Sequence, residues 1–391
     1  MVELTGDLPT ISFRDVKIQR RENDLVAGSF GRGIYILDDY SPLRTVSEKA
    51  LKQEALLFTS RDALWYIPDS MHTDSQGDFE YRAKNPDFGA TFTYYLRDGI
   101  KSPKQDREDK EKKNIEKGKY PLYPEWKSID AELREVEPTV YLIIKNKQGD
   151  IIRKVKANAK KGIHRVTWDL RFPSANALGT RPGFFGDSGP LVTPGEYSVS
   201  LYTTASGKTT MLASGVNFNV KPLHQKNEAG NVSPEERTQL ILEVESLRRH
   251  VSAANSQVKE LKDQLKSIRT AMDRSTAVTS DLENQYQQLR EAVFTAEEIL
   301  NGQPSRSGMG SVPASVSGRL FMIEFARANT WGITNTQKQQ MGFVKDALGL
   351  LQPTLKNLMQ NEFPALKEAL FNAGAPWIPS GPVKEKSDKI D

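Results

Sequence analysis

The sequence predicts a multidomain β-plus-α chain: a few strands at the start, a β-sandwich in the middle and a bundle of amphipathic helices at the end. Three observations predict it. Glycine-punctuated apolar runs occupy Leu25 to Leu37, short alternating strands recur between Glu137 and Lys221, and an apolar heptad seam begins after Ser233. The 391 residues suffice for two to four domains with a core in each.

In the first region, Ile11, Phe13, Val16 and Ile18 alternate imperfectly with polar residues, as a half-buried strand does. Leu25-Val26-Ala27 and Ile34-Tyr35-Ile36-Leu37 then flank Gly28, Gly31 and Gly33, a hairpin with a glycine-rich, non-helical connection. Gly31 and Gly33 bracket Arg32 where positive φ is expected, and Asp38 and Asp39 close the last strand before Ser41-Pro42. Three strands leave two open edges and little to pack against, so a cover is required: further sheet, a partner chain or the next domain.

The residues Asn23, Asp24, Gly31, Arg32, Gly33, Leu37, Asp38 and Asp39 carry a family resemblance. Their order resembles the closing blade of bacterial sortilin-like β-propellers, related to BNR or Asp-box repeat proteins and often labelled glycosyl hydrolases. The resemblance implies that residues 1 to about 44 end a propeller whose other blades lie outside this chain. It also implies an exported protein (periplasmic, outer-membrane associated or secreted), although the chain shows no signal peptide of its own.

Residues 1–68 are thus expected to be an incomplete end blade with a connector: a short helix at Ser47 to Gln53, then strands at Glu54 to Phe58 and Ala63 to Ile67. Residues 69–228 form the expected immunoglobulin-like or fibronectin-like sandwich, with a polar surface loop at Asp69 to Asp87 and a charged insertion near 100–135. Lys101 to Lys119 mixes Lys, Glu and Asp with almost no apolar residue, which reads as a solvated insertion or an electrostatic docking arm. Phe88 to Leu96 is an aromatic, β-branched strand, and Val140 to Ile144 with Ile151 to Val155 is a hairpin turning at Gly149. Gly162 to Leu170, Pro194 to Tyr202 and Val216 to Val220 complete the set, with Trp168 as core. Arg171 to Pro190 is an irregular loop whose Phe184 and Phe185 are candidate partner-binding residues.

Residues 229–375 are the helical bundle. Ser233-Pro234-Glu235-Glu236 reads as a capping box, and Leu240, Val244, Leu247, Val251, Ala254, Val258, Leu261, Leu265, Ile268 and Met272 form an unbroken seam that demands a facing helix. Leu282, Tyr286, Leu289, Val293, Ala296 and Leu300 repeat the spacing after a polar break, so a second helix of about 35 Å folds back on a first of about 60 Å. A linker at Gly302 to Pro313, a third helix at Ala314 to Asn329 and a fourth after the capping box of Thr334 to Gln337 follow. An intramolecular bundle is the default, and an intermolecular coiled coil, hence an oligomer, the alternative. The resemblance extends here: P-A-S-V-x-G-R-L at Pro313 to Leu320 is similar to the third helix of the family's tail. Residues 376–391 are expected to be a frayed, charged end.

The chemistry classes narrow quickly. There are no cysteines, which removes disulfides and thiolate chemistry, and no apolar run approaches the length of a membrane span. A net charge of +4 from 54 basic and 50 acidic residues argues against a dedicated nucleic-acid binder. His72, His164, His224 and His250 show no metal-ligand spacing, and no nucleophile elbow or phosphate loop occurs, so no catalytic, cofactor or metal residue is assigned. Asp38 and Asp39 are adjacent and would face opposite ways in a strand, so they cannot flank one glycosidic bond; capping the turn, or pairing with Arg32 or Arg44, is the simpler role. The expected function is a non-catalytic interaction and scaffolding region that binds protein partners. The alternative is the accessory region of a BNR or sialidase-like glycosidase whose active site lies upstream.

Overall fold

The computed structural model describes residues 10–31, 33–68, 85–120, 123–178, 187–205, 207–223, 233–303, 314–325, 333–379 and 381. The chain mixes β-sheet and helix and divides into two compact units, residues 1–171 with 194–225, and residues 172–193 with 226–391.

Among its described residues the first unit holds three sheets. Strands β1 (Phe13–Gln19), β2 (Asp24–Ser29) and β3 (Ile34–Leu37) form an antiparallel meander in that order. A 3-10 turn at Ser41–Thr45 and the single-turn helix α1 (Glu48–Leu51), capped by the Ser47 side chain, lead to β4 (Ala55–Leu57) and β5 (Ala63–Trp65). Then come β6 (Ala90–Leu96), helices α2 (Pro103–Glu116) and α3 (Trp126–Leu133), and strands β7 (Thr139–Asn146), β8 (Ile151–Ala157), β9 (Gly162–Trp168), β10 (Gly195–Ala205) and β11 (Lys208–Pro222).

Strands β4–β6–β9 make one sheet and β5–β11–β10–β7–β8 another. Aromatic rings join them: Phe92 on β6 meets Phe218 on β11 at 5.1 Å, and Trp168 on β9 meets Tyr197 on β10 at 5.7 Å, all edge-on. Such pairs add to the area term of a two-layer core. Burial of Tyr197 holds its phenol un-ionised and pushes its pKa up to about 12. Gly89, at φ +133°, is obligatory here, since a Cβ would lie 1.9 Å from the Trp168 carbonyl oxygen.

Two features differ from the sequence expectation. β4 and β5, read as a connector, are integral strands: β4 pairs with β6, and β5 runs parallel to β11. A polar clamp fixes that parallel pair, because Asp62 accepts from the backbone and side-chain amides of Asn219 and pairs with Lys221. Partial burial pushes the Asp62 carboxyl up, but those partners outweigh it and hold it below its ordinary value. The charged insertion is also helical over α2, whose Ser102 side chain receives the Gln105 amide in a capping box. The expected loop at Asp69 to Asp87 lies mostly outside the described residues.

The second unit is helical: α4 (Pro234–Asp273), α5 (Ser280–Asn301), α6 (Val316–Glu324), α7 (Asn335–Asn357), a π-helical turn at Leu358–Glu362 and α8 (Phe363–Asn372). Ser233 and Thr334 cap their helices as the sequence indicates. Asn255 bonds Asn301, Lys262 pairs with Glu297 and Arg269 with Glu283, so α5 runs antiparallel to α4. Val244 to Met272 along the seam are buried in one cluster with Leu282 to Leu300 and the apolar faces of α6, α7 and α8. Pro353 stands inside α7, and the π turn follows five residues later. Two details were not legible in the seam. Glu245, Arg248 and Glu324 form a buried ion network with Arg248 Nε 3.0 Å from Glu324, and the 172–193 excursion docks on α4 through Ala177 N–H to Ser252 Oγ at 2.9 Å. Asp187 braces that excursion by accepting from Ser174 and Asn176. The stretch expected to fray from residue 376 starts packed, with Ile378 buried and the Pro379 carbonyl accepting from Lys367; residues 380 and 382–391 lie outside the described residues.

Candidate functional site

The first sheet presents an apolar face across which no described residue is laid closely enough to bury it. Val16 opposes Ala27, Ile18 opposes Leu25, and Leu25 and Ala27 oppose Leu37 and Tyr35. Side chains in register on neighbouring strands share a face, so Val16, Ile18, Leu25, Ala27, Tyr35 and Leu37 form one patch. A register shift between Phe13 and Asp15 returns Phe13 to the same face, where its ring meets Tyr35 edge-on at 5.6 Å. Val16 is 52% and Ile18 48% exposed, and no residue of the three strands is buried. On the opposite face Ile34 and Ile36 are 70% and 59% exposed. Apolar exposure this contiguous is unusual for a free surface.

Polar contacts at one end anchor the sheet. Gly31 and Gly33 have φ of +79° and +91°, the conformation the glycines were expected to supply, and Ser29 closes the turn by donating from N and Oγ to the Gly33 carbonyl. Arg32 lies outside the described residues. β3 ends at Leu37, so Asp38 and Asp39 stand beyond the strand rather than within it. Asp39, at φ +41°, accepts from the Ser41 amide and hydroxyl, while its own amide donates to Asp24 Oδ1 at 2.9 Å. The Asp39 carboxylate is therefore a turn cap. Arg44 pairs with neither carboxylate; it reaches Asn23 Oδ1 and the Tyr40 hydroxyl and stacks over the Tyr40 ring.

Arg165 on β9, unmarked by any sequence signal, donates to the Asp38 and Asp39 carbonyls, and Arg61 pairs with Glu22 at 3.1 Å. Ties of this kind fix the sheet's corner and leave its apolar face open. Of the two neighbouring carboxylates, that of Asp39 is engaged by the Ser41 turn. Phe184 and Phe185 lie outside the described residues. Of the histidines in described segments, His164 Nε2 contacts the Lys160 carbonyl and His250 Nδ1 the Ser246 carbonyl. Among the described residues no group of three or more His, Asp or Glu is placed to hold a metal ion, and no helix is long and apolar enough to cross a membrane.

No protein-family model matches the chain, and no curated protein matches it. Among solved structures it is similar to PorZ, a bacterial surface component of the type-IX secretion system of Porphyromonas gingivalis, at 16% identity and a TM-score of 0.13. That match covers 54% of this chain and 23% of PorZ, so the chain spans about a quarter of that protein's length.

Proposed function

We propose that the chain is a non-catalytic interaction and scaffolding region of an exported, sortilin-like propeller protein. In this reading β1–β3 is an end blade whose apolar face is covered by a further β-sheet or by a protein partner. The two-layer sheet unit is an immunoglobulin-like or fibronectin-like module that supports the blade, and the helices bundle within the chain. One observation carries the reading: the Phe13, Val16, Ile18, Leu25, Tyr35 and Leu37 face is apolar and contiguous, with Val16 and Ile18 about half exposed and none of the six buried, whereas the neighbouring sheets of the same unit bury their aromatic faces on each other. Polar anchoring by Arg165 and Arg61 sets the blade on its support without using that face.

Affinity capture tests it. The immobilised chain and its Val16→Glu, Ile18→Glu variant are exposed to envelope and secreted fractions of the source cells. Retention by the parent chain and loss by the variant is the expected result. Equal capture by both, or none by either, contradicts the reading.

A further inference from the structure

Beyond α8 the chain doubles back on the helices as a short strap. The reversal is a Schellman turn: Gly374, at φ +79°, donates from N to the Phe371 carbonyl at 3.1 Å, and Ala375 N–H reaches the Leu370 carbonyl at 3.0 Å. Ser275, just after α4, fixes the turn by donating from Oγ to the Ala373 carbonyl at 3.1 Å. Pro376 and Pro379 have set φ and no N–H to satisfy, so the strap needs few hydrogen bonds of its own. Apolar seating holds it instead. Ala375 and Ile378 are buried in the cluster formed by the helices, while Trp377 between them is 56% exposed.

The strap ends on a buried charge. Lys367 of α8 is only 3% exposed, and its amine donates to the Pro379 carbonyl at 3.0 Å. An ammonium has three protons to place, and that carbonyl is the one hydrogen-bond acceptor it meets among the described residues. Burial draws the Lys367 pKa down, against an upward pull from the Glu260 carboxylate on α4. The charge is therefore held at a cost that one charge-assisted bond does not offset. A lysine stem is long and flexible, so the amine regains water once the chain covering it moves.

We infer that Lys367 makes residues 375–379 a releasable strap, closed in this structure, which opens as a unit about Gly374. Opening returns the amine to water and uncovers the apolar seats of Ala375 and Ile378; closing buries all three again. α8 is anchored separately by Phe363, Leu366 and Leu370, all buried, so the strap opens with the bundle still folded. An uncharged side chain of the same length at position 367 makes the strap a fixed part of the core.

Hydrogen exchange of the full native chain, with chymotryptic cleavage between Trp377 and Ile378 as a second readout, tests this. In the parent the strap amides should exchange by local opening, at a rate that low denaturant leaves unchanged, and far faster than those of α4 and α5. Lys367→Met removes the charge and should slow exchange and cleavage at the strap by about tenfold. Ile378→Ser empties the apolar seat and should quicken both while the bundle's unfolding transition is retained. The parent and Ile378→Ser readouts decide the matter even if Lys367→Met does not fold. The inference is overturned if strap exchange in the parent tracks global unfolding, if Lys367→Met leaves the strap unchanged or loosens it, or if Ile378→Ser leaves both readouts unmoved.

Discussion

Phe92 and Tyr94 on β6 are completely buried, while Ile34 and Ile36 on β3 are more than half exposed, although both strands read as apolar, β-favouring runs. The difference lies in what each sheet faces. β4–β6–β9 finds Phe218 and Tyr197 of the five-stranded sheet across the layer, whereas β1–β3 meets the rest of its unit through the Arg165 and Arg61 contacts at its margin. Strand chemistry specifies a sheet, and only a facing layer makes it a core. A sheet with the first and not the second leaves its apolar side chains to solvent.

Substitutions sharpen that comparison. Trp168→Ala opens the two-layer core and is expected to cost about 3–5 kcal/mol, read from denaturant unfolding. Ile34→Ser on the exposed sheet should stay within about 0.5 kcal/mol in the same assay. A large cost at Ile34 would break the contrast. Glycines repeat it: Gly89→Ala drives a Cβ into the Trp168 carbonyl and should destabilise by roughly 1–3 kcal/mol or more, while Gly31→Ala meets no atom within 4 Å and bears only left-handed strain of about 1 kcal/mol.

Alkali offers a gentler probe of the buried layer. The Tyr197 phenol sits above its unfolded value, so its stabilising contribution is complete below about pH 10 and is lost as pH rises towards about 12. Tyr197→Phe should flatten that limb of the stability profile. Acid probes the edge: Asp62 is held below its unfolded value, so its contribution is present above the usual carboxylate range and fades as pH falls through the depressed value. Asp62→Asn should remove a small acid-dependent loss, measured as thermal unfolding at falling pH.

The helical seam was the most legible part of the chain, because Val244 to Met272 are local, periodic and buried as the spacing demands. The hairpins were legible for the same reason. The parallel pairing of β5 with β11 was not, since it joins residues 157 positions apart through Asp62 and Asn219, and no local pattern marks such a partner. α2 escaped notice because a helix that buries nothing has no apolar period, although Ser102-Pro103 with Gln105 is a start signal. At the candidate site the glycine turn was readable from Gly31 and Gly33. Its anchoring by Arg165 was not, and the strand assigned to Asp38 and Asp39 ended earlier because Asp39 turns back to cap Ser41.

Native-state hydrogen exchange on the chain alone tests the central claim most directly. Amides of β6, β7 and β10 should exchange only through opening of the core, and those of β1–β3 should exchange orders of magnitude faster. Protection of β1–β3 equal to that of β6 and β10 would show that the first sheet needs no cover, and would contradict the account.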